Sequence, residues 1–190
     1  MLLPLLLAAL SAGQAGSAAT AETEMLRIDV PDEFDIGYRA RSDAQQMIEM
    51  VVPPETVESW TTLITSQMFF NAARRPGLDG FYQTWRGSMQ RACPGLTDTL
   101  IRGTVDAKPA LRGRLSCPNN PQTGKPENLD AVLIQGDANL MMVQVAFKHS
   151  IASRDIALID RITRSLKVCD QRTLTACSAR KATGFLPAAR

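Results

Sequence analysis

Leu129-Asp-Ala-Val-Leu-Ile-Gln135 and Leu140-Met-Met-Val-Gln-Val-Ala-Phe-Lys148 are two apolar runs separated by Gly136-Asp137-Ala138-Asn139. Four turn-forming residues between two strand-like runs predict a β-hairpin. On its N-terminal side, Thr99 to Asp106 and Ala110 to Cys117 read as two more strands around a turn at Lys108-Pro109. Pro118 to Pro126 then reads as a flexible polar surface loop. On its C-terminal side, Ile156, Ile159, Ile162 and Leu166 recur at helical spacing, with Arg154, Asp155, Asp160, Arg161, Arg164 and Lys167 between them. This predicts an amphipathic helix that ends at Cys169.

Further toward the N-terminus, Leu78, Phe81, Tyr82, Trp85 and Met89 predict another amphipathic helix, running from the breaker Arg74-Arg75-Pro76-Gly77 to Cys93-Pro94-Gly95. Trp60 to Phe70 alternates as a strand does, with a helix as the rival reading. Gly37 to Arg41 and Gln45 to Val52 form a predicted hairpin through Ser42-Asp43-Ala44. Pro53-Pro54 ends it, because neither proline can donate to a ladder. Glu22 to Glu33 is acidic, contains Pro31, and reads as a loose leader or an edge strand. Strands, helix, four strands and helix, in that order, predict the α+β class: an antiparallel sheet packed by two main helices.

The first twenty-one residues carry no charged side chain. An apolar core from Leu2 to Leu10 is followed by small residues ending in Ala19-Thr20-Ala21. That core is too short to span a bilayer, which takes roughly 20 apolar residues, and the small-x-small tail is what a signal peptidase reads. The expectation is a signal peptide over 1–21, cleaved after Ala21, and a single domain over 22–190 working in the periplasm without a membrane span. Cys93, Cys117, Cys169 and Cys177 form an even set in an exported chain, which favours two disulfides. Four cysteines allow three pairings. Cys93 with Cys117 and Cys169 with Cys177 is preferred, the second pair tying down a polar C-terminal tail. Neither spacing resembles structural zinc, and His149, the only histidine, is far from every cysteine.

The net charge of +2 is unevenly spread. Residues 22–58 hold ten acids and three bases, whereas the remainder holds nine acids and eighteen bases. Arg102, Arg112 and Arg114 are the candidate binding residues. A three-residue turn centred on Lys108 would set Arg102 opposite Arg114, and like charges placed so destabilise a sheet unless an anion relieves them. That anion is either a ligand or partner, or else leader acids such as Asp32, Glu33 or Asp35 folded over the hairpin.

Catalytic residues are not identifiable. His149 and Ser150 are chain neighbours that would face opposite ways on a strand. No H-E-x-x-H, EF-hand, P-loop or dinucleotide motif is present, so no metal site and no cofactor is predicted. Asp137 and Asn139 belong to a turn and lack the further oxygens that calcium needs. Export, the modest net charge and the lack of aromatics among the bases argue against nucleic acid.

Met47-Ile-Glu-Met-Val-Val-Pro-Pro-Glu-Thr-Val-Glu-Ser-Trp60-Thr-Thr-Leu-Ile-Thr65 resembles a phrase of uncharacterised secreted proteobacterial proteins: an extended segment, a proline, then a strand carrying a buried tryptophan. The order of elements is similar to the Mog1/PsbP-like sandwich. The PsbP branch would imply a photosystem partner and the Mog1 branch a small GTPase, and no binding motif of either is present to carry across. Fold alone does not license function. The expected function is a non-enzymatic periplasmic binding or accessory protein of the cell envelope, meeting an envelope protein or a small anionic ligand. The alternative is a carboxylate-dependent hydrolase, whose mark would be two acids in one pocket with raised pKa values.

Overall fold

The computed structural model describes residues 23–170, 172 and 184–185. The expected signal peptide, Cys177 and most of the tail lie outside the described residues. Among these residues ten strands and two helices run in the order β1 (Glu24–Arg27), β2 (Asp35–Arg41), β3 (Gln45–Val51), β4 (Thr62–Phe69), α1 (Gly77–Ala92), β5 (Thr97–Val105), β6 (Lys108–Asn120), β7 (Lys125–Gln135), β8 (Leu140–Phe147), α2 (Ser153–Ser165), β9 (Lys167–Asp170) and β10 (Gly184–Phe185). Eight strands form one antiparallel sheet in the order β10-β5-β6-β7-β8-β4-β3-β2, while β1 and β9 pair separately. The α+β architecture, an antiparallel sheet packed by two helices, is as expected, and the helices lie on opposite faces.

Alternation along the strands divides the core in two. On one face, Leu78 and Tyr82 of α1 pack with Leu111, Leu115, Leu129, Ala131, Leu133 and Met142. On the other, Ile159 and Ile162 of α2, with Leu166 just beyond it, pack with Val132, Ile134, Met141, Val143, Val145 and Phe147. The central hairpin β7–β8 feeds both cores, which is why its runs are apolar at nearly every position. Full burial of a Leu, Ile or Phe side chain is worth about 1.5–3 kcal/mol, so these two strands dominate the stabilisation of the sheet. Gly113 has the space problem typical of a helix laid close on a sheet: a Cβ there would lie 2.9 Å from the Tyr82 ring.

Tyr82 also fastens α1 to β5. Its hydroxyl donates to Asp98 Oδ2 at 2.9 Å, and Arg86 Nη2 lies 2.7 Å from Asp98 Oδ1. The Arg86 hydrogen bond, helped by that of Tyr82 and opposed by burial, holds the Asp98 carboxyl below its ordinary value of 3.8. A folded pKa below the unfolded one means stability that is complete above pH 3.8 and is lost as pH falls through the folded value. Melting temperatures measured between pH 6 and 2 are expected to fall more steeply at the acid end for the native chain than for Asp98→Asn. Parallel curves would show that Asp98 does not couple folding to pH.

Several boundaries differ from those expected. The β5–β6 turn is Asp106-Ala107, with φ of 48° and 63°, and pairs Val105 with Lys108. Such a two-residue turn follows the twist of the strands. Pro109 therefore lies inside β6, just before the β6–β7 ladder starts at Ala110. The expected loop over 118–126 is mostly strand, because β6 runs to Asn120 and β7 starts at Lys125, with a register shift between Cys117 and Asn120. Trp60 is half-buried just ahead of β4, rather than a buried strand residue, with Lys148 Nζ 4.0 Å from its ring centre. The second helix stops at Ser165, and the residues up to Cys169 continue as β9. Within the leader, Glu24–Arg27 is a strand, although it pairs with β9 and not with the main sheet. Cys93 and Cys117 form a disulfide as preferred. Cys169 is buried, and its expected partner, Cys177, is among the residues not described.

Candidate functional site

Arg112 and Arg114 project from β6 on the α2 side of the sheet, since they alternate with Leu111, Gly113 and Leu115 on the α1 side. The register sets Asp130 of β7 directly opposite Arg114. Arg112 donates from Nε to Asp130 Oδ1 at 2.8 Å and from its Nη2 to Oδ2 at 3.0 Å, while Arg114 Nε donates to Oδ2 at 2.7 Å. Two guanidiniums thus share one carboxylate. The Asp130 side chain is 2% exposed and that of Arg112 14%, but Arg114 is 52% exposed.

Around this array the sheet carries hydroxyls. Thr99 is opposite Arg114, and Thr97 is opposite Ser116, all three being exposed. Ser116 Oγ donates to Asn128 Oδ1 at 2.7 Å, and Asn128 Nδ2 donates to the His149 carbonyl at 2.8 Å. One carboxylate cannot neutralise two guanidiniums, so the strip keeps a net positive charge with a free edge on Arg114. A planar guanidinium beside hydroxyl donors is suited to a carboxylate or a phosphate.

The expected constellation is only half assembled. Arg102 pairs with Leu111 rather than facing Arg114, and so lies on the α1 face, where its Nη2 meets Asp79 Oδ1 at 2.6 Å. An odd shift in register carries a side chain to the opposite face, and the shorter turn supplies that shift. Asp32, Glu33 and Asp35 make no ion pair with the arginines. The counter-charge is Asp130, which the sequence hid as the one acid within the apolar run Leu129–Gln135. That oddity was the available signal, because a buried acid needs a partner on a neighbouring strand.

A second concavity of about 540 Å³ opens beside the N-terminal end of α2, lined by Glu33, Phe34, Pro53, Glu55, Thr61 and Arg154 among others. Two of its acids have structural duties. Glu55 accepts from the Thr61 hydroxyl at 2.6 Å and the Thr61 N–H at 3.0 Å. Burial opposes its ionisation, but those bonds, another from Thr62 and the charge of Lys148 hold its pKa below the ordinary value. Asp155 Oδ2 accepts the Ala152 N–H at 2.7 Å, capping α2, and lies 3.1 Å from His149 Nε2. The single histidine is thereby tied to a helix end.

Among the described residues no group of three or more His, Cys, Asp or Glu could hold a metal ion, and no helix is long and apolar enough to cross a membrane. No known protein family and no curated protein matches this chain. Solved structures do. A mutant of protein Mog1 is 13% identical, with 77% of this chain and 92% of that one covered at a TM-score of 0.48. The Saccharomyces cerevisiae Ran-binding protein Mog1p is 12% identical, with 78% and 96% covered at 0.46. The chain accordingly bears a loose structural resemblance to Mog1.

Proposed function

We propose that this chain is a non-enzymatic binding or accessory protein of the cell envelope, exported to the periplasm with loss of residues 1–21. It recognises an anionic group of a partner or small ligand through Arg114, with Arg112 holding the array in place. The observation that carries this reading is the shared carboxylate: Asp130 fixes both guanidiniums yet leaves Arg114 half-exposed and the strip positively charged. A Cys169–Cys177 disulfide closing the tail belongs to the same proposal and fits an oxidising compartment.

Inorganic phosphate, titrated calorimetrically into protein purified from the periplasm, is the test. Arg114→Gln is expected to weaken phosphate binding at least tenfold, while Arg102→Gln, on the other face, leaves it unchanged. Equal affinity in the native and Arg114→Gln proteins would remove the arginine strip from consideration. The intact mass of the same sample reads the mature N-terminus and the oxidation of all four cysteines.

The hydrolase alternative asks for two acids in one pocket with raised pKa values. The groove lowers its Glu55 instead, and Glu49 is not among the residues that line it. Glu49 is the acid that is raised, first by burial and then by the charge of Glu58.

A further inference from the structure

One face of the sheet carries a row of polar side chains across four strands. Tyr38 of β2 is opposite Glu49 of β3, Glu49 is opposite Thr65 of β4, and Thr65 is opposite Gln144 of β8. Residues so opposed have Cβ atoms roughly 4.5–5.5 Å apart, and the row shares its face with Val51, Leu63 and Met142 on the α1 side. Thr65 is only 2% exposed, and its Oγ1 has no hydrogen-bond partner, the one buried side-chain atom among the described residues of which this is true. A buried hydroxyl left unpaired is costly.

The carboxylates beside it are also unbalanced. Eight aspartates of the described chain stand in ion pairs. Glu49 and Glu58 have no such partner among the described residues. Val57, the neighbour of Glu58, packs against the α1-side core beside Val51 and Gly37, which brings the Glu55–Ser59 segment over the Glu49 end of the row, and the charge of Glu58 adds to burial in raising Glu49. Tyr38 completes the surroundings. It is 43% exposed on β2, an edge strand with no further strand beyond it among the described residues, whereas the opposite edge carries β10.

We propose that Glu49, Glu58, Thr65 and Tyr38 form a recognition site for a primary ammonium group on an aliphatic stem. An ammonium has three donors, matching two carboxylates and one unsatisfied hydroxyl, and an aromatic face at the entrance attracts a cation. No third carboxylate, histidine or cysteine joins the two carboxylates among the described residues, as a protein-held metal ion would ask. The site faces away from the arginine strip and takes the opposite charge, so it stands independently of the anion-binding reading. Its ligand is either a free alkylamine or a lysine side chain of a protein laid against the unpaired edge.

The test is an amide chemical-shift titration with n-butylamine hydrochloride and, separately, with the peptide acetyl-Val-Lys-Val-amide. Saturable shifts at residues 38, 49, 65 and 144 are expected with either probe, weakened at least tenfold by Glu49→Gln. Thr65→Val is the second variant. It removes the unpaired hydroxyl, so it is expected to melt no lower than the native chain while binding the amine more weakly. A peptide at least tenfold tighter than butylamine assigns the site to lysine on a protein, and equal affinities assign it to free amines. Absence of saturable shifts, or binding that Glu49→Gln and Thr65→Val leave intact, overturns the proposal.

Discussion

Asp130→Asn is expected to lower the unfolding free energy by about 3 kcal/mol, among the largest single-site effects in this chain, because removing one member of a buried ion pair strands the other. The charge left behind is chiefly that of Arg112, whose side chain is 14% exposed and whose two hydrogen bonds to Asp130 measure 2.8 and 3.0 Å. An asparagine can accept one of those bonds but supplies no charge, and its amide would point donors at donors. Arg114 can turn to water, since half of its side chain already meets it. Urea denaturation of the variant is the measurement. Replacing both members, Arg112→Leu with Asp130→Val, is expected to recover most of the loss, as buried pairs exchanged for packed apolar residues commonly cost little. A loss below 1 kcal/mol in Asp130→Asn would show that water already solvates both guanidiniums. It would also remove the argument that Asp130 presents Arg114 in a fixed pose.

What was legible in the sequence was local. The β7–β8 hairpin and both helices declared themselves through periodicity and turn residues, because apolar spacing is set by the face an element buries. The β5–β6 register was not legible, since Asp106-Ala107 turns through the left-handed region without the glycine that usually announces such a turn. Three residues of error there were enough to misplace Arg102. Asp130 was overlooked for a related reason: its partner is defined by pairing between strands, and pairing depends on register. The row Tyr38–Glu49–Thr65–Gln144 was beyond reach altogether. Its four members come from four strands, and Thr65 is noteworthy only for a hydrogen bond it lacks. Strand β9 was missed, and β1 was only one of two readings of the leader, because four residues each carry too little pattern and the two meet across more than a hundred residues of chain.

Glu24→Ala is expected to cost about 3 kcal/mol and to loosen the leader from the domain. The Glu24 side chain reaches from β1 into the β7–β8 turn, where Oε1 accepts the N–H of Asp137 at 2.7 Å and Oε2 those of Asn139 at 2.9 Å and Ala138 at 3.3 Å. It is 3% exposed. Hydrogen bonds to an ionised group contribute about 1.5–3 kcal/mol each, and donors left buried without a partner are costly as well. Gly136 is part of the arrangement, since a Cβ there would collide with the Glu24 carboxylate. The turn that first reads as a simple connector is therefore an anion nest filled by the chain's own leader. Under the proposed cleavage after Ala21, Glu24 would be the third residue of the mature protein, and its strand and nest anion would come from the mature N-terminus. Hydrogen exchange at residues 137–139 and over β9 is expected to accelerate in Glu24→Ala, with the β6–β7 ladder quickened only in proportion to the loss of global stability. A variant that stays within 0.5 kcal/mol of the native chain, with unchanged exchange in the turn, would mean that water replaces the carboxylate at no cost. The leader would then be held by the β1–β9 ladder and its apolar contacts on the α2 face alone.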